Sequence, residues 1–460
     1  MNVPSVFTLL SIGVGPSSSH TLGPLRAARD FRSLLLAREV REARVQVTLL
    51  GSLAYTGKGH LTDLAVTAGL AGYDPASVDG PSLHAVYQAV RAARGIRDGL
   101  MLQFDPGRDI AFDTGAPDLP HPNTLRFRAA REDGTILLEQ EYRSIGGGAV
   151  SGGSFGDAAS VRGASDLTMG GVLEACLERG IDLAQFVREN EEGAHGLSRE
   201  ETASRLASLW AAMTQTIERG LRTGGILPGR LQLERRAPEM LERLEGDPRR
   251  WHVVSREITL AAVYALAVAE ENAAGGRVVT APTCGSAGIV PATLLMLQER
   301  FLLPDERMHD ALLVAGLVGL VVAGNASISG AEAGCQAEVG TASAMAAAAA
   351  CQLLGGSVLQ VESAAEMALE HHLGLTCDPV CGLVQIPCIE RNAVGAVTAL
   401  NAASMALLGS GKHQISFDRA VATMKEVGLD MDKKYKETAL GGLASRGCNA
   451  LSTRSEPNGD

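Results

Sequence analysis

Residues 342–350 read ASAMAAAAA, a run with high helix propensity and almost no bulk. A helix built from it has, apart from Met345, no large side chain with which to reach its neighbours. It is stable only where other backbones approach closely, which places it at the centre of a helical body. The rest of the composition agrees. Aromatic residues make up 4 % of the chain while 53 of its 460 residues are glycine, so the interior must pack small side chains tightly. With 46 % hydrophobic and 20 % charged residues, a substantial core is expected and wholesale disorder is not.

Two regions of unlike character follow from the order of strands, helices and turns. In the first, 45–50 predicts a strand ending at Gly51-Ser52, 61–69 a helix, and 124–130 with 135–142 a hairpin across Glu132-Asp133-Gly134. The glycines at 146–148 and 152–153 mark a closely packed crossing point. From Leu183 onward the chain reads as nearly all helix. Ser198 and Glu201 make a capping box, 258–272 predicts a helix ended by Gly275-Gly276, and 361–372 another that stops at Gly374. The expected fold is an α+β N-terminal domain (1–155), a linker and helix (156–185), a larger all-α C-terminal domain (186–450) and a flexible tail (451–460).

Charge and patterning exclude several classes. With 52 acidic against 41 basic residues the formal net charge is -11, leaving no excess of positive charge to neutralise phosphates. Nucleic-acid binding is therefore not expected. The start, MNVPSVFTLLSIGVG, lacks the basic region that precedes a secretory hydrophobic segment. The most apolar stretches, 311–324 and 342–354, are shorter than the roughly 20 residues that cross a bilayer. They are expected to be buried helices, with no membrane association. Of eight cysteines, Cys176 stands apart, and Cys284, Cys335, Cys351, Cys377, Cys381, Cys388 and Cys448 fall in the C-terminal half. That clustering suits a thiolate site in a reducing cytoplasm rather than a disulfide scaffold.

Four segments could carry chemistry. Cys377 and Cys388 bracket CDPVCGLVQIPC, where Asp378-Pro379 and Pro387 force irregular backbone on which side chains can converge. Cys335 lies in SGAEAGCQAEVG, again at a glycine-interrupted position. Three such thiols suit iron–sulfur or zinc; spacing alone leaves open that they are simply buried small hydrophobes. In GVGPSSSHTLGP (13–24), the hydroxyls of Ser17, Ser18, Ser19 and Thr21 beside loosened backbone suit a carboxylate or phosphate, with His20 as a donor or proton carrier. The plainer reading is a serine-rich turn that caps the next helix. His60, between a glycine and a helix, is a candidate base. Gly57-Lys58-Gly59 does not complete a phosphate-binding loop, and 59–411 contain no lysine for a pyridoxal Schiff base.

Taken together, SIGVGPSSSHTLGP at 11–24, GSLAYTGKGHLTD at 51–63, SIGGG at 144–148, NASISGAEAGCQAEVG at 325–340, EHHLGLTCDPVCGLVQIPCIERNAVGAV at 370–397 and KYKETALGGLA at 434–444 resemble the iron–sulfur-dependent L-serine dehydratases of the single-chain bacterial type. They span both halves of the chain in the family order. The resemblance implies an α+β domain ahead of an all-helical domain that holds a [4Fe–4S] cluster, in a homodimer converting L-serine to pyruvate and ammonia. It implies Cys335, Cys377 and Cys388 as cluster ligands, with the fourth iron open to substrate. Cys381 is then expected to be a bystander. Some family members place a cysteine near the C-terminus that can occupy the open iron. Here Cys448 is the candidate displaceable fourth ligand, although the chain runs twelve residues further. Cys284, in TAPTCGSAGIVPA, departs from the family's usual asparagine.

Under this resemblance His60 is the first choice for the base that takes the α-proton and His20 the second. Ser17, Ser19, His20 and Thr21 are expected on the substrate carboxylate, with Ser144, Thr283 and Cys284 completing the wall of a site between the domains. Two other functions fit the motifs: a related cluster lyase acting on L-threonine or L-cysteine, and an amino-acid or redox sensor. His371 and His372, adjacent on a helix, are not expected to share a metal, and Glu270-Glu271 are expected to cap or pair rather than catalyse.

Overall fold

In the computed structural model, residues 3–116, 119–156, 167–246 and 255–452 are described. The strand Glu42–Gly51 organises the first domain. Its even-numbered positions through Gln46 are exposed, while Ala43, Val45, Val47 and Leu49 are buried, the alternation of a sheet covered on one face. It runs parallel to Met101–Gln103 and Ile110–Asp113 and antiparallel to Asn123–Ala130. The sheet continues through Ile136–Gly146 to Ala149–Ser151 and ends at Gly95–Arg97 on the other side. The hairpin around Glu132-Asp133-Gly134 joins Asn123–Ala130 to Ile136–Gly146. The helices Gly23–Ala37, Thr62–Leu70 and Gly80–Ala93 bury Leu25, Phe31, Val66 and Leu83 in the same core as the strand's inner face.

The second domain is helical and is built around Thr341–Leu353. The alanines at 342, 344 and 346–350 are all fully buried. Helices Asp305–Asn325, Val358–Glu370, Cys388–Leu408 and Ile289–Phe301 pack against it. Replacing Ala347 by leucine is expected to overpack this centre and cost about 1–3 kcal/mol. Urea unfolding of the purified variant reads that loss, and an unchanged midpoint would show that the neighbouring helices are not in close contact there.

Two features differ from the sequence expectation. The apolar stretch expected at 311–324 belongs to a 21-residue helix, Asp305–Asn325, because its polar ends continue the helix beyond the apolar run. By length and composition it could cross a membrane, but most of it is buried against other helices. The start of the chain also belongs elsewhere. Val3, Val6, Leu9 and Leu10 lie in the helical core, and an added Cβ at Gly316 or Gly319 would meet Val6 at 2.7 Å or Leu9 at 2.3 Å. The next strand, Ile12–Val14, pairs antiparallel with Arg277–Val279. The chain therefore begins in the helical body and crosses to the α+β domain near Pro16.

The capping box at Ser198 and Glu201 opens the helix Arg199–Arg222. Glu270 accepts from the Arg236 and Ala237 amides, and Glu271 pairs with Arg235 and Arg219. Ten residues of the expected 156–185 linker (157–166) and the end of the tail (453–460) lie outside the described residues.

Candidate active site

The two domains meet where the segment after Pro16 turns into the helix Gly23–Ala37. Ser17 caps this turn, its Oγ accepting from the His20 amide at 3.2 Å. Thr21 donates to the His60 carbonyl at 2.7 Å and Thr62 to the His20 carbonyl at 2.6 Å, so the two histidine segments hold each other. The rings of His20 and His60 meet edge to face, 4.5 Å between centroids, and both are fully buried. Close approach needs the glycine before His60: a Cβ on Gly59 would lie 2.3 Å from the Gly382 carbonyl oxygen, in the cysteine loop.

Glu437 completes the histidine pair. Its Oε1 lies 3.3 Å from His20 Nδ1, close enough for an ion pair though not aligned as a hydrogen bond, and 3.9 Å from His60 Nδ1. Ser52 donates to the Glu437 carbonyl at 2.7 Å and contacts His20 Nε2 at 3.0 Å. With its own proton committed, the Ser52 hydroxyl must accept from Nε2–H, which leaves His20 Nδ1 as an acceptor facing Glu437. Burial lowers His20 well below its ordinary value, with the neighbouring His60 adding to the effect, and burial takes His60 to about 3. Burial, then Glu338 and Cys335, pushes the Glu437 carboxyl well up. Neutral imidazoles beside a protonated carboxyl satisfy that geometry. Neither nitrogen of His60 has a hydrogen-bond partner among the described residues.

Three thiols approach from the helical side. Cys335 follows the short helix Gly330–Ala333, Cys377 sits in a bridge with Lys436, and Cys388 opens the helix Cys388–Leu408. The bridge ties the C-terminal strap to the cysteine loop: the Cys377 amide donates to the Tyr435 carbonyl and the Glu437 amide to the Cys377 carbonyl, each at 2.8 Å. One enclosed cavity of about 20 Å³ is lined by Cys335, Cys377, Cys388, Glu338, His60 and Ser17, among others. Donor atoms of Cys335, Glu338 and Cys377 lie within 4.8 Å of one another, as do those of His20, His60 and Glu437. Cys388 lines the cavity but lies outside the first of these sets.

The electrostatics of the thiols and of the neighbouring arginine oppose each other: burial and mutual contact favour the protonated thiols, while a guanidinium beside them favours thiolates. Contact with Cys335 and then burial push the Cys377 thiol up, and burial followed by Cys335 does the same for Cys388. Burial opposes the charge on Arg391, yet Cys335, Cys388, Cys377 and Asp378 outweigh it and hold the guanidinium above its ordinary value. Arg391 is fixed by Asp378 at 3.2 Å and the Thr376 carbonyl at 2.6 Å. Glu338 accepts from Thr283 at 2.9 Å and is raised to about 7, by burial above all.

The remaining expected residues are placed unevenly. Ser19 and Thr21 are buried behind Ser17, and Thr21 is spent on His60. Ser144 lies under the start of the helix Gly23–Ala37, where a Cβ on Gly23 would meet its Oγ at 2.1 Å. Cys284 faces Ser18 at 3.2 Å and the Val14 carbonyl at 3.8 Å; among the described residues its neighbour Gly285 lines the cavity instead. Cys381 is disulfide-bonded, which removes it from the free thiols. The backbone at Cys448 belongs to the helix Gly442–Ser452, but its side chain lies outside what is described. His371 is exposed while His372 is buried against the Ala368 carbonyl. Sequence reasoning missed Glu437, Glu338 and Arg391 as site residues. Each lies within a quoted motif: Glu338 and Arg391 close to Cys335 and Cys388 in sequence, Glu437 among the charges of KYKET.

Convergent thiols and buried neutral imidazoles at a domain boundary are the equipment of a two-domain enzyme. Family models described as serine dehydratase beta chain and serine dehydratase alpha chain match residues 5–154 and 178–444. L-serine dehydratase of Haemophilus influenzae is 43 % identical over 456 residues, and that of Streptomyces coelicolor 45 % over 457, each alignment covering 96 % of this chain and 98 % of the relative. L-serine dehydratase of Mycobacterium bovis is 42 % identical over 453 residues, covering 96 % of this chain and 97 % of the relative. The chain belongs to the serine dehydratase family.

Proposed function

We propose that this chain converts L-serine to pyruvate and ammonium, with a [4Fe–4S] cluster held by Cys335, Cys377 and Cys388. The observation that carries this reading is the single cavity shared by those three cysteines with His60 and Ser17 of the other domain. The donor set fits such a group: soft thiols from three separate segments, with the Arg391 charge beside them to balance an anionic centre. When bound, the cluster supplies a Lewis-acidic iron for the departing hydroxyl.

The chain's own residues do the rest. Serine's α-hydrogen is weakly acidic and needs a neutral base held against it. His60 is neutral because it is buried, and whichever of its nitrogens carries no hydrogen has no partner among the described residues and can receive that proton. The Glu437 carboxyl, 3.9 Å away, is the group nearest to the charge that then develops on the ring. As the α-proton leaves, the electron pair forms the carbon–carbon double bond and the β-hydroxyl departs as hydroxide, which becomes water with the proton that His60 has taken, leaving His60 neutral and giving 2-aminoacrylate. This tautomerises and adds water, releasing ammonium and pyruvate. Ser17 Oγ accepts from the His20 amide, so its own proton remains to bind the substrate carboxylate. A site at a domain boundary also excludes bulk water when the domains close.

The working division is an α+β domain through 155 and a helical domain from 186, acting as a homodimer. Anaerobically prepared, cluster-reconstituted protein is expected to form pyruvate from L-serine with kcat/KM at least about tenfold above its values for L-threonine and L-cysteine. Greater release of 2-oxobutyrate from L-threonine or sulfide from L-cysteine would reassign the substrate. Serine binding without pyruvate would make the chain a sensor.

A further inference from the structure

Beside the SIGGG turn lies a second cavity, of about 440 Å³, also at the boundary between the domains. That is within the roughly 300–1,000 Å³ of small-molecule sites. Gly146, Gly147 and Gly148 all have positive φ, and the turn rests on Ile328 of the helical body. Much of the remaining wall is apolar, including Leu9, Phe155 and Leu320.

One arginine faces this space. Arg26, near the start of the helix Gly23–Ala37, donates to the Gly148 carbonyl at 2.7 Å and reaches Ser11 Oγ at 3.5 Å. A guanidinium has five N–H groups; the other three have no partner among the described residues. Arg26 has no carboxylate within ion-pair distance among those residues, unlike Arg32, Arg235 and Arg391, which have Asp98, Glu271 and Asp378. Burial lowers its pKa, as for a cation drawn out of water without a full counter-charge. Hydroxyls around the cavity are already committed, Ser5 to Glu191 at 2.7 Å and Ser327 to Glu332. His195 also lines the cavity, but its Nε2 donates to the Val3 carbonyl at 2.8 Å, so the free side-chain donors among the described lining residues belong to one planar fork, which matches a single carboxylate in two-point contact. A phosphate dianion would need a second cation or further donors.

We propose that this cavity binds a small organic monocarboxylate, its charge on Arg26 and its carbon body against Leu9, Leu320 and Ile328. The walls connect with the reaction site. Ser11 leads through Ile12–Val14 to Pro16 and Ser17, while Ile328 lies two residues before Gly330, where an added Cβ would stand 3.0 Å from Cys377 Sγ. An occupant would press on segments that carry both halves of the thiol-and-histidine site. The proposal does not depend on the reaction assigned above.

Thermal unfolding and calorimetric titration of the purified full-length chain test it, with isobutyrate as the probe and isobutyramide as its uncharged isostere. Isobutyrate is expected to raise Tm and bind saturably, and the amide to do neither. Arg26→Met is expected to weaken isobutyrate at least tenfold. Ala323→Leu keeps the cation but fills the cavity, and is expected to do the same; it carries the test where Arg26→Met does not fold. Equal binding of the amide, or isobutyrate binding that survives both substitutions, would overturn the proposal. Inorganic phosphate competing as well as isobutyrate would reduce the site to a general anion site and overturn the assignment to an organic acid.

Discussion

Replacing His60 by alanine is expected to lower turnover of L-serine by about 10²–10⁴-fold, the usual contribution of a positioned general base, while leaving the visible absorption of the reconstituted cluster unchanged. The separation follows from the geometry. The His60 carbonyl ties the backbone into the fold by accepting from Thr21, but the ring nitrogens have no hydrogen-bond partner among the described residues. Removing the ring therefore takes away a reactive group without breaking a side-chain hydrogen bond. His20 is different: its ring contacts both Ser52 and Glu437, so alanine there is expected to disturb the strap as well as the chemistry. Comparing kcat, iron content and Tm for the two variants distinguishes the roles. Full turnover in His60→Ala would end its assignment as base and move it to His20.

Cys377→Ser is expected to abolish iron retention together with turnover. Losing several kcal/mol of Lewis-acid assistance corresponds to at least roughly 10³-fold in rate. Cys377 is also the residue whose backbone holds the strap, but serine preserves that backbone, so the bonds to Tyr435 and Glu437 are expected to remain. Cys351→Ala supplies the control. That thiol is buried in the alanine helix, where burial pushes it up to about 12, and it does not line the site cavity. Iron analysis and visible absorption after anaerobic reconstitution should show loss in the first variant and retention in the second. A stable, fully loaded Cys377→Ser protein would remove Cys377 from the ligand set.

The two-domain architecture was legible because its causes are local. An alanine run predicts a buried helix, alternating residues predict a half-covered strand, and an acidic-acidic-glycine turn predicts a hairpin; each is specified within about a dozen residues. The histidines and cysteines were legible as chemistry, since few other residue types supply a neutral base or a soft donor. Their partners were not. Glu437 stands more than 370 residues beyond His60, and only the bridge between Lys436 and Cys377 brings its carboxyl to the imidazoles. Within KYKET it reads as one charge among several on a solvated face. Cys284 shows the opposite failure: its motif suggested a pocket wall, but the turn into Cys284–Ser286 points the thiol toward Ser18. The apparent boundary at 155 likewise hid the return of 3–10 to the helical core, because eight apolar or small residues carry no label for the domain they join.

That arrangement has a consequence for how the enzyme is made. His20 and His60 leave the ribosome well before the strap, yet they have no carboxyl partner until Glu437 has been synthesised. The first segment likewise waits for Arg277–Val279 before it can pair. A nascent chain can fold its α+β sheet as it emerges, but the reaction centre closes only after nearly the whole polypeptide has been released. Translation that stops before Glu437 thus yields a chain with all three thiols but without the carboxyl that faces His20 and His60.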